Sequence, residues 1–377
     1  MSTSSAVHRV EAPAEPLAVA QPWLPPAERV LPYLQRIDEQ RRYTNFGPLV
    51  GELEQRLAER FEGPASVTAV SSGTQALALA LRAATDDAPG YCALPSWTFV
   101  ATAHAALLAG LKPWFLDVDP ETWMLDPAEV RAALEDAPGR IGAVAAVCAF
   151  GRMPDIEAWA RFRDDTGVPV VLDAAAAFDA LTDATLPAAV SLHATKALGA
   201  GEGGFVAARD AAFAERVREL SSFGFRGSRL SHLPATNAKM SEYAAAVGLA
   251  SLDGWPSSRL RYLLAAQRLR MALIDLPEVG FQPGWGLQWV SSVCVVALPE
   301  GASEPVAGRL KAAGIDTRRW WGEGCHANPA FSLVRRQPLP ATRVLAESTL
   351  GLPFAIDLEP AQAERIAEAL AAALKAG

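Results

Sequence analysis

From Val67 onward, short apolar runs alternate with stretches of helical period. Val67 to Val70, Cys92 to Leu94, Trp114 to Val118, Ala143 to Cys148 and Val168 to Leu172 are apolar segments of strand length. Between them, stretches such as Ala76 to Ala84 and Pro127 to Leu134 repeat their apolar residues at helical spacing. A strand that is apolar on both faces needs cover on both faces, so the alternation predicts an α/β domain with a mostly parallel sheet and helical crossovers. Upstream, Leu53, Leu57 and Phe61 share one face of a helix that Gly63-Pro64 would end. Ala188 to Leu192 and Phe205 to Ala208 read as two further strands, with a connection short enough for a hairpin or an antiparallel addition to the sheet.

Beyond about Leu230 the pattern changes. Met240 to Leu276 is largely helical with an expected break at Gly254-Trp255-Pro256, and it bridges to a smaller α/β domain. There Val290 to Leu298 reads as a strand and Glu304 to Ala313 as a helix. Pro360 to Lys375 reads as a closing helix with Ile366, Leu370 and Leu374 on one face. The chain thus divides into an arm (1–26), a large domain (27–235), and linking helices with a small C-terminal domain (236–377). The arm, rich in Ser, Ala, Pro and Glu, reads as flexible and lacks the pattern of a secretory signal.

A length of 377 residues allows two cores, and 50% hydrophobic with 20% charged residues suits a packed, soluble protein. A formal net charge of -8 repels a nucleic-acid backbone, so no polynucleotide partner is expected. No window reaches the roughly 18 apolar residues of a membrane span, so no membrane association and a cytoplasmic location are expected. Cys92, Cys148, Cys294 and Cys325 are too scattered for a CxxC metal site or a disulfide framework; they read as reduced, buried thiols, and no metal site is expected.

Ligands of open α/β sheets collect at the carboxyl ends of the strands, which directs attention to the polar residues just after each run. Lysine is scarce, occurring only at 112, 196, 239, 311 and 375. Lys196 follows an apolar strand and precedes Gly199-Ala200-Gly201-Glu202-Gly203-Gly204, where missing side chains let a bulky ligand approach. Burial there would favour the neutral, nucleophilic amine, although a surface lysine in a glycine loop has the same spacing. The other four lysines fit solvated roles. Asp173 ends the run Val168 to Leu172, where an unpaired carboxylate is costly; a protonated pyridine nitrogen would satisfy it, and so would a role as helix N-cap. Ser72-Gly73-Thr74-Gln75, between a strand and an Ala-Leu-rich helix, could point backbone N–H groups at a phosphate or simply cap that helix. Gly199-x-Gly201-x-x-Gly204 matches a dinucleotide fingerprint in form but precedes a strand, which argues against a nicotinamide-dependent dehydrogenase.

In this order, the motifs resemble the pyridoxal-phosphate sugar aminotransferases of the DegT/StrS family. The likeness runs from about Tyr43 to the C-terminus. It is carried by Thr44-Asn45-Phe46-Gly47-Pro48, Ser72-Gly73-Thr74-Gln75-Ala76-Leu77, Pro95-Ser96-Trp97-Thr98-Phe99-Val100-Ala101-Thr102 and Asp117-Val118-Asp119-Pro120. It continues in Asp173-Ala174-Ala175, His193-Ala194-Thr195-Lys196 with its glycine loop, and Asn237-Ala238-Lys239-Met240-Ser241-Glu242. The resemblance implies fold type I of the pyridoxal-phosphate enzymes, with Lys196 as Schiff-base lysine and proton shuttle, Asp173 on the pyridine nitrogen and Phe99 stacked on the ring. It assigns the phosphate to Gly73, Thr74, Gln75 and Ser191. Asn237 matches an asparagine that reaches the cofactor phosphate of a neighbouring subunit, which implies a homodimer with shared sites. Asn45 and His326 match segments that line the sugar site.

Ala176 departs from the pattern, since many relatives carry glutamine or histidine there to meet the phenolic oxygen of the cofactor. Relatives that dehydrate sugars replace the lysine with histidine, so Lys196 points to transamination. The resemblance further implies L-glutamate as amino donor. Gln21 to Pro26 together with Thr44 to Pro48 looks most like members that aminate C4 of a dTDP-4-keto-6-deoxyhexose. A 3-keto sugar, a keto-cyclitol, or an inactive member retained as a binding partner are the alternatives.

Overall fold

The structure is a computed structural model that describes residues 15–375 apart from residue 86. Seven strands form the central sheet: β1 (Ser66–Val70), β2 (Tyr91–Pro95), β3 (Lys112–Leu116), β4 (Ile141–Val147), β5 (Val170–Asp173), β6 (Ala188–Ser191) and β7 (Gly204–Ala208), in the order β1-β7-β6-β5-β4-β2-β3. β7 runs antiparallel to both neighbours, and the other pairings are parallel. The two runs expected to form an antiparallel addition are therefore β6 and β7. The helices of this part are α1 (Ala27–Gln40), α2 (Pro48–Ala58), α3 (Gly73–Thr85), α4 (Val100–Leu108), α5 (Pro127–Ala133), α6 (Ile156–Thr166) and α7 (Ala211–Ser221).

Strand periodicity sends alternate residues to opposite faces, and two separate cores result. Val70, Leu94, Ala145, Val171, Ala189 and Val206 face α3, α4 and α7, whereas Ala69, Ala93, Val144, Leu172, Val190 and Phe205 face the other side. Both faces are apolar because both are covered, as the continuous runs required. Asp126, Asp155 and Asp210 cap α5, α6 and α7 with their carboxylates, and Gly167, at φ 68°, ends α6 in the left-handed conformation.

The linking helix α8 (Glu242–Ala272) has 31 residues, roughly 46 Å of helix, and leads to β8 (Gly280–Phe281), β9 (Cys294–Ala297), α9 (Ser303–Ala312), α10 (Pro340–Ser348), β10 (Thr349–Leu352) and α11 (Pro360–Lys375). Its three strands form an antiparallel sheet in the order β10-β9-β8. Two expectations are corrected. The helix does not break at Gly254-Trp255-Pro256. Proline costs one hydrogen bond there, but neighbouring Trp255 is buried edge-on against Phe178, at 4.9 Å between ring centroids, which holds the segment in line. The arm is not free over residues 15–26: the Leu17 N–H donates to the Gly314 carbonyl at 3.0 Å, the Asp316 N–H donates to the Leu17 carbonyl at 2.8 Å, and Val19 is buried. Its composition suggested flexibility, whereas backbone pairing with the small domain orders it. The first part of the arm, 1–14, lies outside the described residues.

One carboxylate joins two distant motif segments. Glu242, 1% exposed at the start of α8, accepts from the N–H groups of Leu49 at 2.8 Å and Val50 at 3.0 Å, the unpaired amides that open α2. A Cβ at position 47 would lie 2.5 Å from Glu242 Cδ, so Gly47 admits the carboxylate. Replacing Glu242 with alanine orphans both amides, and the unfolding free energy should fall by about 2–3 kcal/mol in urea titration. An unchanged midpoint would show that water satisfies these amides equally well.

Candidate active site

Strand register assembles the anion-binding end of the site. Gly204 of β7 is the cross-strand partner of both Val70 and Ser191, so the β1–α3 turn and the end of β6 meet over a glycine. A Cβ on Gly204 would lie 2.7 Å from the backbone of Ser72 and Gly73, and one on Gly73 would lie 2.5 Å from Ser191 Cβ. Both positions need glycine because backbones and side chains crowd there. The Ser72 hydroxyl accepts from the Gln75 N–H at 3.2 Å, and the Ser191 hydroxyl accepts from the His193 N–H at 3.2 Å. Gly73, Thr74, Gln75 and Ser191 thus gather at the N-terminus of α3, where backbone N–H groups and the helix dipole favour an anion.

Asp173 ends β5 in the middle of the sheet and is 8% exposed. Its Oδ1 accepts from the Ala175 N–H at 3.2 Å and its Oδ2 accepts from the Thr102 hydroxyl at 2.7 Å. Burial raises its pKa above the usual carboxylate range, opposed by the Thr102 and Ala175 hydrogen bonds and by Lys196. Lys196 is half-buried, and the same loss of water lowers the pKa of its amine, opposed by the nearby Asp173 carboxylate. The alternative of a freely solvated lysine at 196 is therefore not what the fold provides.

Phe99, ahead of α4, is 58% exposed although its neighbour Thr98 is buried. Its open ring is a stacking surface. Together the flat aromatic face, the buried carboxylate, the amine of lowered pKa and the glycine-lined anion site fit pyridoxal phosphate, whose ring, pyridine nitrogen, aldehyde and phosphate demand those four partners.

The remaining expected residues sit on other segments of the chain. Asn237 is exposed and its amide oxygen accepts from Lys239 Nζ at 2.5 Å. Its segment runs beside β1, where the Ser71 N–H donates to the Ala238 carbonyl. Lys239 is not freely solvated: it lies over the Phe223 ring at 4.7 Å and its pKa is lowered by burial. Asn45 is exposed, at φ 61° in the left-handed region. His326 Nδ1 is 2.6 Å from Ser96 Oγ, and its pKa is lowered by burial and by Arg336. Ala176 leaves its position without a polar side chain.

Sequence reasoning missed two sets of residues. Thr98 and Thr102 stood inside a quoted motif, and their spacing of one helical turn was the available signal. Trp320, Trp321 and Asn328 line a cleft of about 390 Å³ with Thr98 and Phe99. Trp321 stacks on Phe150 at 3.9 Å and meets Trp97 edge-on, contacts between elements far apart in sequence. The four cysteines are buried and unpaired, and among the described residues no group of side chains could hold a metal ion. No described helix is long and apolar enough to cross a membrane.

The profile of the DegT/DnrJ/EryC1/StrS aminotransferase family matches residues 27–371. A dTDP-4-amino-4,6-dideoxy-D-glucose transaminase of Shigella dysenteriae is 34% identical over 245 residues, 63% of this chain and 65% of the relative. Among solved structures, DesI in the presence of its TDP-sugar product is similar with a TM-score of 0.86 at 34% identity, over 96% of this chain and 94% of DesI. A Bacillus cereus protein described as a PLP-dependent aminotransferase has a TM-score of 0.88 at 26% identity, over 95% of this chain and 100% of that one. A match that spans both sheets leaves one assignment: the chain is an enzyme of the DegT/DnrJ/EryC1/StrS aminotransferase family, and its cofactor is pyridoxal phosphate.

Proposed function

We propose that this enzyme transfers the amino group of L-glutamate to a nucleotide-linked keto sugar, with C4 of a dTDP-4-keto-6-deoxyhexose as the acceptor carbon. The observation that supports the transaminase chemistry is that a desolvated amine at 196, beyond β6, and a buried carboxylate at 173, at the end of β5, lie near each other at the carboxyl edge of one sheet. The sugar assignment draws on likeness to proteins whose names specify TDP-linked or dTDP-linked 4-amino sugars. When bound, pyridoxal phosphate supplies a carbonyl to carry the amino group and a ring to take up electron density.

The residues of this chain do the rest. Gly73, Thr74, Gln75 and Ser191 hold the phosphate, Phe99 supports the ring, and Asp173 holds the proton on the pyridine nitrogen. Lys196 Nζ would anchor the cofactor and, once released, would take the proton from the donor α-carbon and return it to the former aldehyde carbon, two bonds away across the shared nitrogen. Such positioned acid–base groups contribute about 10² to 10⁴-fold. Donor and acceptor use the same centre in turn, which gives ping-pong kinetics. Asn45 and His326 border the sugar, and the cleft edged by Trp320, Trp321 and Asn328 gives it an aromatic wall. In this reading two chains form a homodimer in which Asn237 of each reaches the phosphate held by the other. The exposed Phe223, Phe225 and Leu230 near Asn237 supply apolar surface for that contact.

Incubation with L-glutamate and dTDP-4-keto-6-deoxyglucose should release 2-oxoglutarate and the 4-amino sugar. Turnover of a 3-keto sugar or keto-cyclitol alone would move the acceptor carbon, and turnover of none would remove the sugar assignment. The lowered pKa of Lys196 fixes the sign of a second result. The neutral amine gains population at lower pH than in a free lysine, so cofactor uptake by the apoenzyme should accelerate as pH rises along a limb centred below 10.5. A limb at or above 10.5, followed by absorbance, would contradict a desolvated nucleophile. Shared sites make a third prediction. Mixing inactive Lys196→Ala with inactive Asn237→Ala, under conditions that exchange subunits, should restore about one quarter of wild-type activity, since each mixed dimer has one intact site. No recovery despite exchange would mean that each chain builds its site alone.

A further inference from the structure

Asp173 does not stand alone in its apolar surroundings. The Thr102 hydroxyl, on the first turn of α4, lies 2.7 Å from Asp173 Oδ2, and Thr98 Oγ1 lies 2.7 Å from Thr102 Oγ1. Thr102 is 0% exposed and Thr98 is 2% exposed, so water does not compete for these bonds. A carboxylate can only accept, so Thr102 must donate its single proton to Asp173. Its oxygen is then free to accept, and Thr98 is the donor. The chain has one direction, Thr98 to Thr102 to Asp173. A helical threonine ordinarily turns its hydroxyl back to the carbonyl one turn earlier; here Thr102 turns away from that bond and toward the end of β5.

We propose that Thr102, oriented by Thr98, is a positioning residue that keeps Asp173 ionised and aimed, and so sets how strongly the enzyme prefers a cofactor with a protonated ring nitrogen. The other groups that face Asp173 are the Ala175 N–H, the Lys196 amine and the Cys148 thiol. Of these, Lys196 is committed to the aldehyde when the cofactor is bound, and the thiol is pushed far above its usual range and stays neutral. The hydroxyl is therefore the lasting side-chain donor on the carboxylate. Because Thr98 immediately precedes Phe99, the same chain ties the ring-stacking residue to the residue on the ring nitrogen. Loss of the hydroxyl lets burial protonate the carboxyl, and a neutral carboxylic acid no longer balances a pyridinium.

The inference rests on the reading that Asp173 faces the ring nitrogen, and the test separates the two. Dissociation constants are measured on the full-length apoprotein for pyridoxal phosphate and for 1-deaza-pyridoxal phosphate, which has CH in place of that nitrogen. The wild type should prefer the nitrogen-containing ring. Thr102→Val, of nearly equal volume, should shrink that preference about tenfold, Thr98→Val about threefold, and Thr102→Ser should restore it. General damage to the site would weaken both cofactors equally and leave the ratio intact. An unchanged ratio in Thr102→Val, or Thr102→Ser behaving as the valine does, overturns the role of Thr102. If Thr102→Val does not fold, the ratio in Thr98→Val decides alone: no change refutes the relay. An unchanged ratio in Asp173→Asn instead overturns the placement of the ring nitrogen, and the inference falls with it.

Discussion

The molecule is organised around the difficulty of keeping a carboxylate among apolar neighbours. Asp173 ends a strand that is buried on both faces, and isolated charge there is costly. The fold meets that cost from three directions: a backbone N–H from the turn after β5, a hydroxyl from α4, which follows β2, and the nearby charge of Lys196 beyond β6. The three groups follow different strands, β5, β2 and β6, so the site exists only when the sheet is complete.

Register does the same for the turn that opens α3. Gly204 sits between Val70 and Ser191 across two antiparallel pairings, and the absence of side chains at 73 and 204 lets β1, β7 and β6 close on one point. β7 is the one reversed strand in the large sheet, and it is the strand that brings the β1–α3 turn beside Ser191. A one-residue slip of β7 would part the two, because strand partners exchange faces at every step.

The small domain contributes through packing. Trp321 stacks on Phe150 of the large domain and touches Trp97, and His326 meets Ser96 beyond β2. Residues 15–26 run back along the small domain and α8, where Arg261 lies 4.4 Å over the Trp23 ring. Aromatic contact thus holds the segment around Trp321 against Phe150 and Trp97, and Glu242 holds the start of α2 and the Tyr43 carbonyl against the start of α8.

Periodicity in the sequence determined the parallel strands, their crossover helices and the closing helix, because a residue's face in a strand or helix depends on its spacing alone. The order of motifs likewise singles out Lys196, Asp173, Phe99 and the Ser72–Gln75 turn. The continuity of α8 through Pro256, the docking of residues 15–26, the Thr98–Thr102 chain and the Trp320–Trp321 wall were decided only by the tertiary structure. Each depends on a partner far away in the chain: Phe178 for Trp255, Gly314 for Leu17, Asp173 for Thr102, Phe150 for Trp321. Local spacing fixes which way a side chain points, whereas the contact that it finds there depends on how distant segments are brought together.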